Sequence, residues 1–283
     1  GQVPAGKTYD GLVSSLDVFP SFTKIAGASA PSDAAKAATI LGTLDGIDLL
    51  PFLQGDQPGD PHAQLCWQQE VRIRPNDREP GPHFPNPAYN LAIRRGKWKA
   101  IKQDQPFEGT NHGRAWELYD LSQDPAELND LATEFPDKVK ELSEAFFVWQ
   151  KQMHPPLAPA APAETPKLHL LLFTFLSVLC GSIQAAEPAR PHILLILTDD
   201  LGYADLRAFG DSEIPTPHLD RLAAEGTRFT NAYTVAPICV PSRMGLMSGK
   251  FPARFGVFNN VYSLPSNELW IQQPTLANVL RTR

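Results

Sequence analysis

The feature that most limits how this chain folds lies in its middle. Lys167 and His169 precede the apolar run Leu170 to Leu179, and the stretch closes in Ser182-Ile183-Gln184-Ala185-Ala186. A basic start, a short apolar run and a small-residue exit have the make-up of a secretory signal peptide. The run is short for a membrane span, which needs ~20 apolar residues. A buried core helix is the alternative, but a Pro/Ala linker from Pro155 to Pro166 stands directly before it and disfavours packing. A signal segment belongs at the start of a protein, so a second protein-like unit is expected from about Lys167. The chain thus divides into residues 1–154, the linker 155–166, the signal-like segment 167–186 and residues 187–283, and it reads as a fragment at both ends.

Length and charge narrow the classes. The 283 residues suffice for one large or two modest domains, and 42% hydrophobic with 20% charged residues describes a globular chain. A net charge of −6 excludes a general nucleic-acid binder, which needs a basic face. The 28 prolines predict many loops. Cys66, Cys180 and Cys239 are the only cysteines, so pairing within the chain leaves one thiol over.

In the first part, Leu12, Leu16, Phe19 and Phe22 recur at helical spacing, predicting a helix over 10–26 with a kink, or two short helices, at Pro20. Residues 27–45 read as loop, and residues 45–53 as an apolar, core-facing stretch. A strand is expected from Leu65 to Ile73, a long loop from Arg74 to Pro87, and a hairpin from Tyr89 to Ile101 turning at Arg95-Gly96. A further strand at Trp116 to Leu121 and an amphipathic helix from Pro136 to Gln152 complete a small antiparallel sheet closed by a helix. His62, His83, His112 and His154 read as surface or loop histidines, with His112 a remote candidate for a substrate pocket. The basic run Arg94 to Lys99 reads as a solvated hairpin.

In the last part, His192 to Leu197 is a continuous aliphatic run, as in a strand buried on both faces of a parallel sheet. It ends in Thr198-Asp199-Asp200-Leu201-Gly202-Tyr203, and open α/β sheets hold their sites past the carboxyl ends of such strands. Thr216 caps and Gly226 ends the next expected helix, with Leu219, Leu222 and Ala223 facing the core. Thr227 to Thr234 is the next strand, leading into Pro237-Ile238-Cys239-Val240-Pro241-Ser242-Arg243. Pro241 suits the first turn of a helix and Gly249 its stop. Cys239 then sits at a helix N-terminus that favours an anion, and Arg243, four residues on, shares its face. A nucleophile and a fork-shaped cation converge where a sulfate or phosphate group fits. The plainer readings are a buried structural cysteine, a disulfide half, and an Asp-Asp pair that only shapes a turn.

The spacing Cys239-x-Pro241-Ser242-Arg243, running on through Gly245-Leu246-Met247-Ser248-Gly249-Lys250, resembles the signature of the formylglycine-dependent sulfatases. The order Asp199-Asp200-Leu201-Gly202-Tyr203, then Thr216-Pro217 through Phe229, then the cysteine motif is similar to the start of a member of that branch of the alkaline-phosphatase-like superfamily. Leu12 to Pro20, Asp45 to Leu50, Arg94 to Lys99 and Glu117 to Leu121 resemble the C-terminal part of the same family. The resemblance implies an incomplete alkaline-phosphatase-like α/β fold, with a small antiparallel sheet and helix as a subdomain. It implies that Asp199, Asp200 and Cys239 touch a divalent metal, Ca2+ or alternatively Mg2+. Cys239, oxidised to formylglycine by a formylglycine-generating enzyme or maturase, would attack the sulfur of a sulfate monoester, on a sulfated glycan or an aryl sulfate, while Arg243 steadies the charge. An exported, periplasmic or extracellular protein is expected. The family's central metal, sulfate and acid residues have no match in these residues, so turnover by this polypeptide itself is expected to be weak or absent. The rivals are a phosphonate or phosphate monoester hydrolase of the same superfamily, and a non-catalytic exported binding protein with an unmodified Cys239.

Overall fold

The computed structural model describes residues 3–27, 44–71, 88–103, 115–153, 191–260 and 274–281. The linker, the signal-like segment, the loop 74–87, His83, His112, His154 and Cys180 lie outside them. Among the described residues, no helix is long and apolar enough to cross a membrane.

Among the described residues the largest sheet is the four-stranded antiparallel one of β3 (Leu65–Val71), β4 (Ala88–Arg95), β5 (Trp98–Gln103) and β6 (Trp116–Asp120), in that order. Its register places Cys66 opposite Ile93, Ile93 opposite Ala100 and Ala100 opposite Leu118. Alternate residues of a strand share a face, so these four make one apolar row across the sheet. Helix α3 (Pro136–Met153) covers it with Leu142, Phe146, Trp149 and Met153, at successive spacings of four, three and four. Ile93, Ala100, Leu118, Leu142 and Phe146 are completely buried. Burial lifts the Cys66 thiol to about 12, with Arg95 opposing, so Cys66 is a core thiol and not a disulfide half.

Residues on the two sides of the linker pair with one another in space. Strand β1 (Lys7–Tyr9) pairs in parallel with β7 (Thr227–Phe229), and β2 (Val13–Ser14) pairs in parallel with β8 (Ala232–Tyr233). The apolar clusters also cross the divide. Phe258 and Ala253 pack into the sheet core, and Phe19 of α1 (Val18–Ile25) packs with Leu276 and Val279 of α6 (Leu276–Arg281). Each aromatic side chain so buried contributes about 1.5–3 kcal/mol. Trp67 Nε1 donates to the Thr234 carbonyl at 2.8 Å. The Arg254 guanidinium grips the Asp45 carboxylate through Nε at 2.7 Å and Nη2 at 2.5 Å.

Several expectations are corrected. The helix predicted over 10–26 is shorter. Leu12 is buried just before β2, a 3-10 turn follows at Ser15–Asp17, and α1 begins at Val18, with Pro20 unkinked in its first turn. His62 lies in a loop, one of its two expected settings, but is drawn inward: its Nε2 lies 2.8 Å from the completely buried Asp17 carboxylate, which also accepts from the Ser14 and Ile47 amides. Arg94 is 8% exposed, bonded to the Tyr233 hydroxyl, and so is withdrawn from the otherwise solvated hairpin.

The aliphatic run 192–197 is not a strand. Leu194 is 82% exposed, and Ile196 and Leu197 are also open to solvent. Helix α4 (Pro217–Glu225) likewise exposes Leu219 and Leu222 instead of burying them, and Thr216 makes no side-chain cap, bonding Asp220 instead. A parallel strand needs a laddered neighbour and a covering layer. Among the described residues nothing supplies either for 192–197, and the α4 face lacks its cover for the same reason.

Candidate active site

The expected helix forms. Helix α5 (Cys239–Ser248) starts at the cysteine itself, after Ile238 in extended conformation. Pro241 lies in the first turn, where its missing N–H costs nothing. Gly249 ends the helix at φ 66°, a left-handed cap, and a Cβ there would stand 2.9 Å from Phe19 Cβ. Gly245 is demanded by contact: a Cβ on it would meet Val235 Cγ1 at 2.3 Å. The helix is therefore pinned closely between α1 and the strand exit, which fixes where its first residue points. The Asn260 side chain adds a second hold, its Oδ1 accepting from the Val240 amide at 3.0 Å. Nothing in the sequence pattern singled out Asn260.

The four residues expected at the site meet. One donor atom each from Asp199, Asp200 and Cys239 lies within 4.8 Å of the others, and all three residues are exposed. Consecutive side chains on an extended backbone point to opposite sides. Asp200 sits at φ 51°, in the left-handed region that Asp tolerates better than most residues. That turn lets two neighbouring carboxylates face one point. Arg243 Nη2 donates to Asp199 Oδ1 at 3.1 Å, and its side chain is 54% exposed. Two anions, one cation and one thiol thus form an open, net-negative cluster at a helix N-terminus.

The cluster can hold a divalent cation. Two carboxylates are hard oxygen donors of the kind Ca2+ and Mg2+ take, with solvent completing the shell. The Cys239 sulfur is a soft donor that suits such ions poorly, whereas an oxygen in its place would fit the set. Lys250, at the end of the cysteine motif, does not join the cluster's surface. It is 3% exposed, and desolvation draws its ammonium down while Asp45 opposes. Ser248 bonds back within its own helix, donating from Oγ to the Met244 carbonyl at 2.7 Å.

A cavity of ≈320 Å3 lies between the face of the sheet away from α3 and the segment Tyr233 to Pro237 that leads to Cys239. Sequence reading passed over its residues, because they belong to four strands and one loop with no local pattern.

Comparison with known proteins places the second part of the chain. Residues 191–283 match the sulfatase family model. The chain is 44% identical over 111 residues to arylsulfatase A of Bos taurus, covering 38% of this chain and 21% of that one. It is 49% identical over 86 residues to an ulvan-active sulfatase of Formosa agariphila, covering 30% and 17%. It is 44% identical over 88 residues to N-acetylgalactosamine-6-sulfatase of Rattus norvegicus, covering 31% and 17%. The chain spans about a fifth of the length of the curated relatives it matches.

Proposed function

We propose that this chain, whose residues 191–283 match the sulfatase family model, carries part of a sulfuric ester hydrolase centred on Cys239, in an incomplete alkaline-phosphatase-like α/β fold. The observation that carries the reading is the convergence of Asp199, Asp200 and Cys239 within 4.8 Å, with Arg243 bonded to Asp199. Those residue types at that separation suit a sulfate ester better than they suit any purely structural role, since the cluster is exposed and stabilises no core.

Cys239 is proposed to be converted to formylglycine by a formylglycine-generating enzyme or maturase. The hydrated aldehyde supplies an attacking oxygen and a second hydroxyl whose proton loss expels sulfate, a release route that a serine lacks. Asp199 and Asp200 would hold Ca2+, or Mg2+, which supplies positive charge to the non-bridging sulfate oxygens. The chain's own residues set the stage. Arg243, one helical turn along α5, presents a planar fork to the same oxygens, and its bond to Asp199 keeps it oriented toward the cluster. The positive end of the α5 dipole lies at Cys239 and favours an anion there. The Asn260 bond to the Val240 amide holds the first turn in place. The signal-like segment 167–186 supports an exported, periplasmic or extracellular setting, the compartment in which a sulfated glycan or aryl sulfate is met.

Calorimetric titration of the full chain with Ca2+ tests the metal assignment. The dissociation constant is expected on the order of 10⁻⁴–10⁻³ M, as for sites with few protein carboxylates. Asp200→Asn is expected to weaken it by about tenfold or more, ~1.4 kcal/mol. Equal titration curves for the two proteins would remove Asp199 and Asp200 from the metal site.

A further inference from the structure

The seat of Cys239 comes from the other part of the chain. We propose that Ser15 is a positioning residue of the Cys239 cluster. Together with Leu16 it holds the chain on both sides of the cysteine, Ser15 on the run-in and Leu16 against the helix. The inference rests on the sulfatase reading of that cluster and adds to it a residue from the first part of the chain.

The pairing of β2 with β8 brings the two segments together. Ser14 stands opposite Tyr233 at the end of that ladder. Beyond it one segment winds into the 3-10 turn Ser15–Asp17, and the other runs on to Cys239. The turn is held by its own hydrogen bonds. Ser14 Oγ accepts from the Leu16 amide at 3.3 Å, and Asp17 Oδ2 accepts from the Ser14 amide at 2.8 Å. This is the reciprocal arrangement of a capping box. The Asp17 carboxylate is completely buried and is anchored further by the Ile47 amide and His62 Nε2, each at 2.8 Å.

Ser15 Oγ accepts from the Val235 amide at 3.1 Å. Val235 is buried and lies past the end of the ladder, so no strand neighbour among the described residues replaces that acceptor. Its side chain presses on Gly245 of α5, where a Cβ would stand 2.3 Å from Val235 Cγ1 and 3.3 Å from Leu16 Cδ2. One turn thus fixes the run-in through Ser15 and the helix through Leu16. Little slack remains between Val235 and Cys239. The Thr234 carbonyl accepts from Trp67 Nε1 at 2.8 Å, and its Oγ1 donates to the Ala236 carbonyl at 3.0 Å. Pro237 has a fixed φ, and the Ile238 carbonyl accepts from the Ser242 amide at 3.1 Å. Asp199 and Asp200 arrive on a separate segment. A buried amide that loses its acceptor must move to find water, and a shift of Val235 carries Cys239 away from two carboxylates that do not follow it.

The test is Co2+ titration of the full chain with Cys239 unmodified. Co2+ bonds thiolate sulfur and carboxylate oxygen together, and a charge-transfer absorption in the near ultraviolet reports the sulfur bond. The parent chain is expected to develop that band, and Cys239→Ala to lose it. Ser15→Ala should raise the dissociation constant about tenfold, as when a residue supporting a metal ligand is removed. Ser15→Thr keeps the hydroxyl and should bind within about twofold of the parent. Met153→Ala opens the core between α3 and the sheet, away from Val235. It weakens the fold and should leave Co2+ binding within about twofold. Equal binding by Ser15→Ala and the parent, no rescue by Ser15→Thr, or an equal loss in Met153→Ala overturns the role of Ser15. The sulfatase reading fails differently: the parent then shows no sulfur band that Cys239→Ala removes, and the role of Ser15 falls with it.

Discussion

Replacing Asp45 with asparagine destabilises the folded chain by roughly 3–5 kcal/mol, more than replacing Arg254 with methionine. Asp45 lies on the first part of the chain, yet it answers two cations from the second. Its side chain is 9% exposed and accepts both Arg254 bonds and the Phe251 amide at 2.8 Å. Lys250, almost wholly buried, also depends on its charge. Without the carboxylate, two positive groups stand in a poorly solvated place, where desolvation and Arg254 both draw the Lys250 ammonium down with nothing from Asp45 to oppose them. Arg254→Met leaves Asp45 still opposite Lys250, so its cost falls at about 2–3 kcal/mol, reduced also because Arg254 is 22% exposed. Chemical denaturation of the two variants and of the double variant measures this directly. The double variant should cost less than the sum, because neither charge is then abandoned. Additive losses of under about 1 kcal/mol each would mean the pair is an ordinary surface bridge.

Cutting the chain once between residues 154 and 190 is expected to leave a single particle. The two parallel strand pairs, the Trp67–Thr234 and Asp45–Arg254 bonds and both apolar clusters join residues 3–153 to residues 191–281 without using the linker. The linker then contributes only effective concentration. A protease site placed near residue 160 should, after cleavage, give two bands under denaturing conditions and one peak at the uncut volume by gel filtration. Separation of the halves into two peaks would show that the pairing depends on the covalent tether.

What could be read from the sequence follows the range of the interactions involved. The α3 helix was legible to within a residue, because Leu142, Phe146 and Trp149 repeat at a local period. The hairpin was legible to within a residue, its turn falling at Gly96-Lys97 and not at Arg95-Gly96, and so was the start of α5 at Cys239, with Gly, Pro and the alternation of Leu91 and Ile93 as markers. Pairings across the chain left no local trace. Lys7–Tyr9 has no pattern that announces Thr227–Phe229 as its neighbour, and His62 gives no sign that Asp17 will draw it inward. The run 192–197 misled in the opposite direction. Its composition states what such a segment needs around it, and the surrounding chain does not provide that neighbour among the described residues. Of the site, the four residues of the cluster were all legible from motif and spacing. Asn260 was not, since it reaches the Val240 amide from twenty residues further along the chain with no local pattern to announce it.

Peptide mass spectrometry across Cys239, on the full chain produced together with a formylglycine-generating enzyme, bears most directly on the proposed chemistry. A peptide lighter than the cysteine form, carrying an aldehyde that a hydrazine reagent captures, is the expected result. Cys239 is exposed at the start of α5, where a modifying enzyme can reach it. A peptide found wholly as unmodified cysteine under those conditions would contradict a formylglycine sulfatase and leave a free thiol beside two carboxylates.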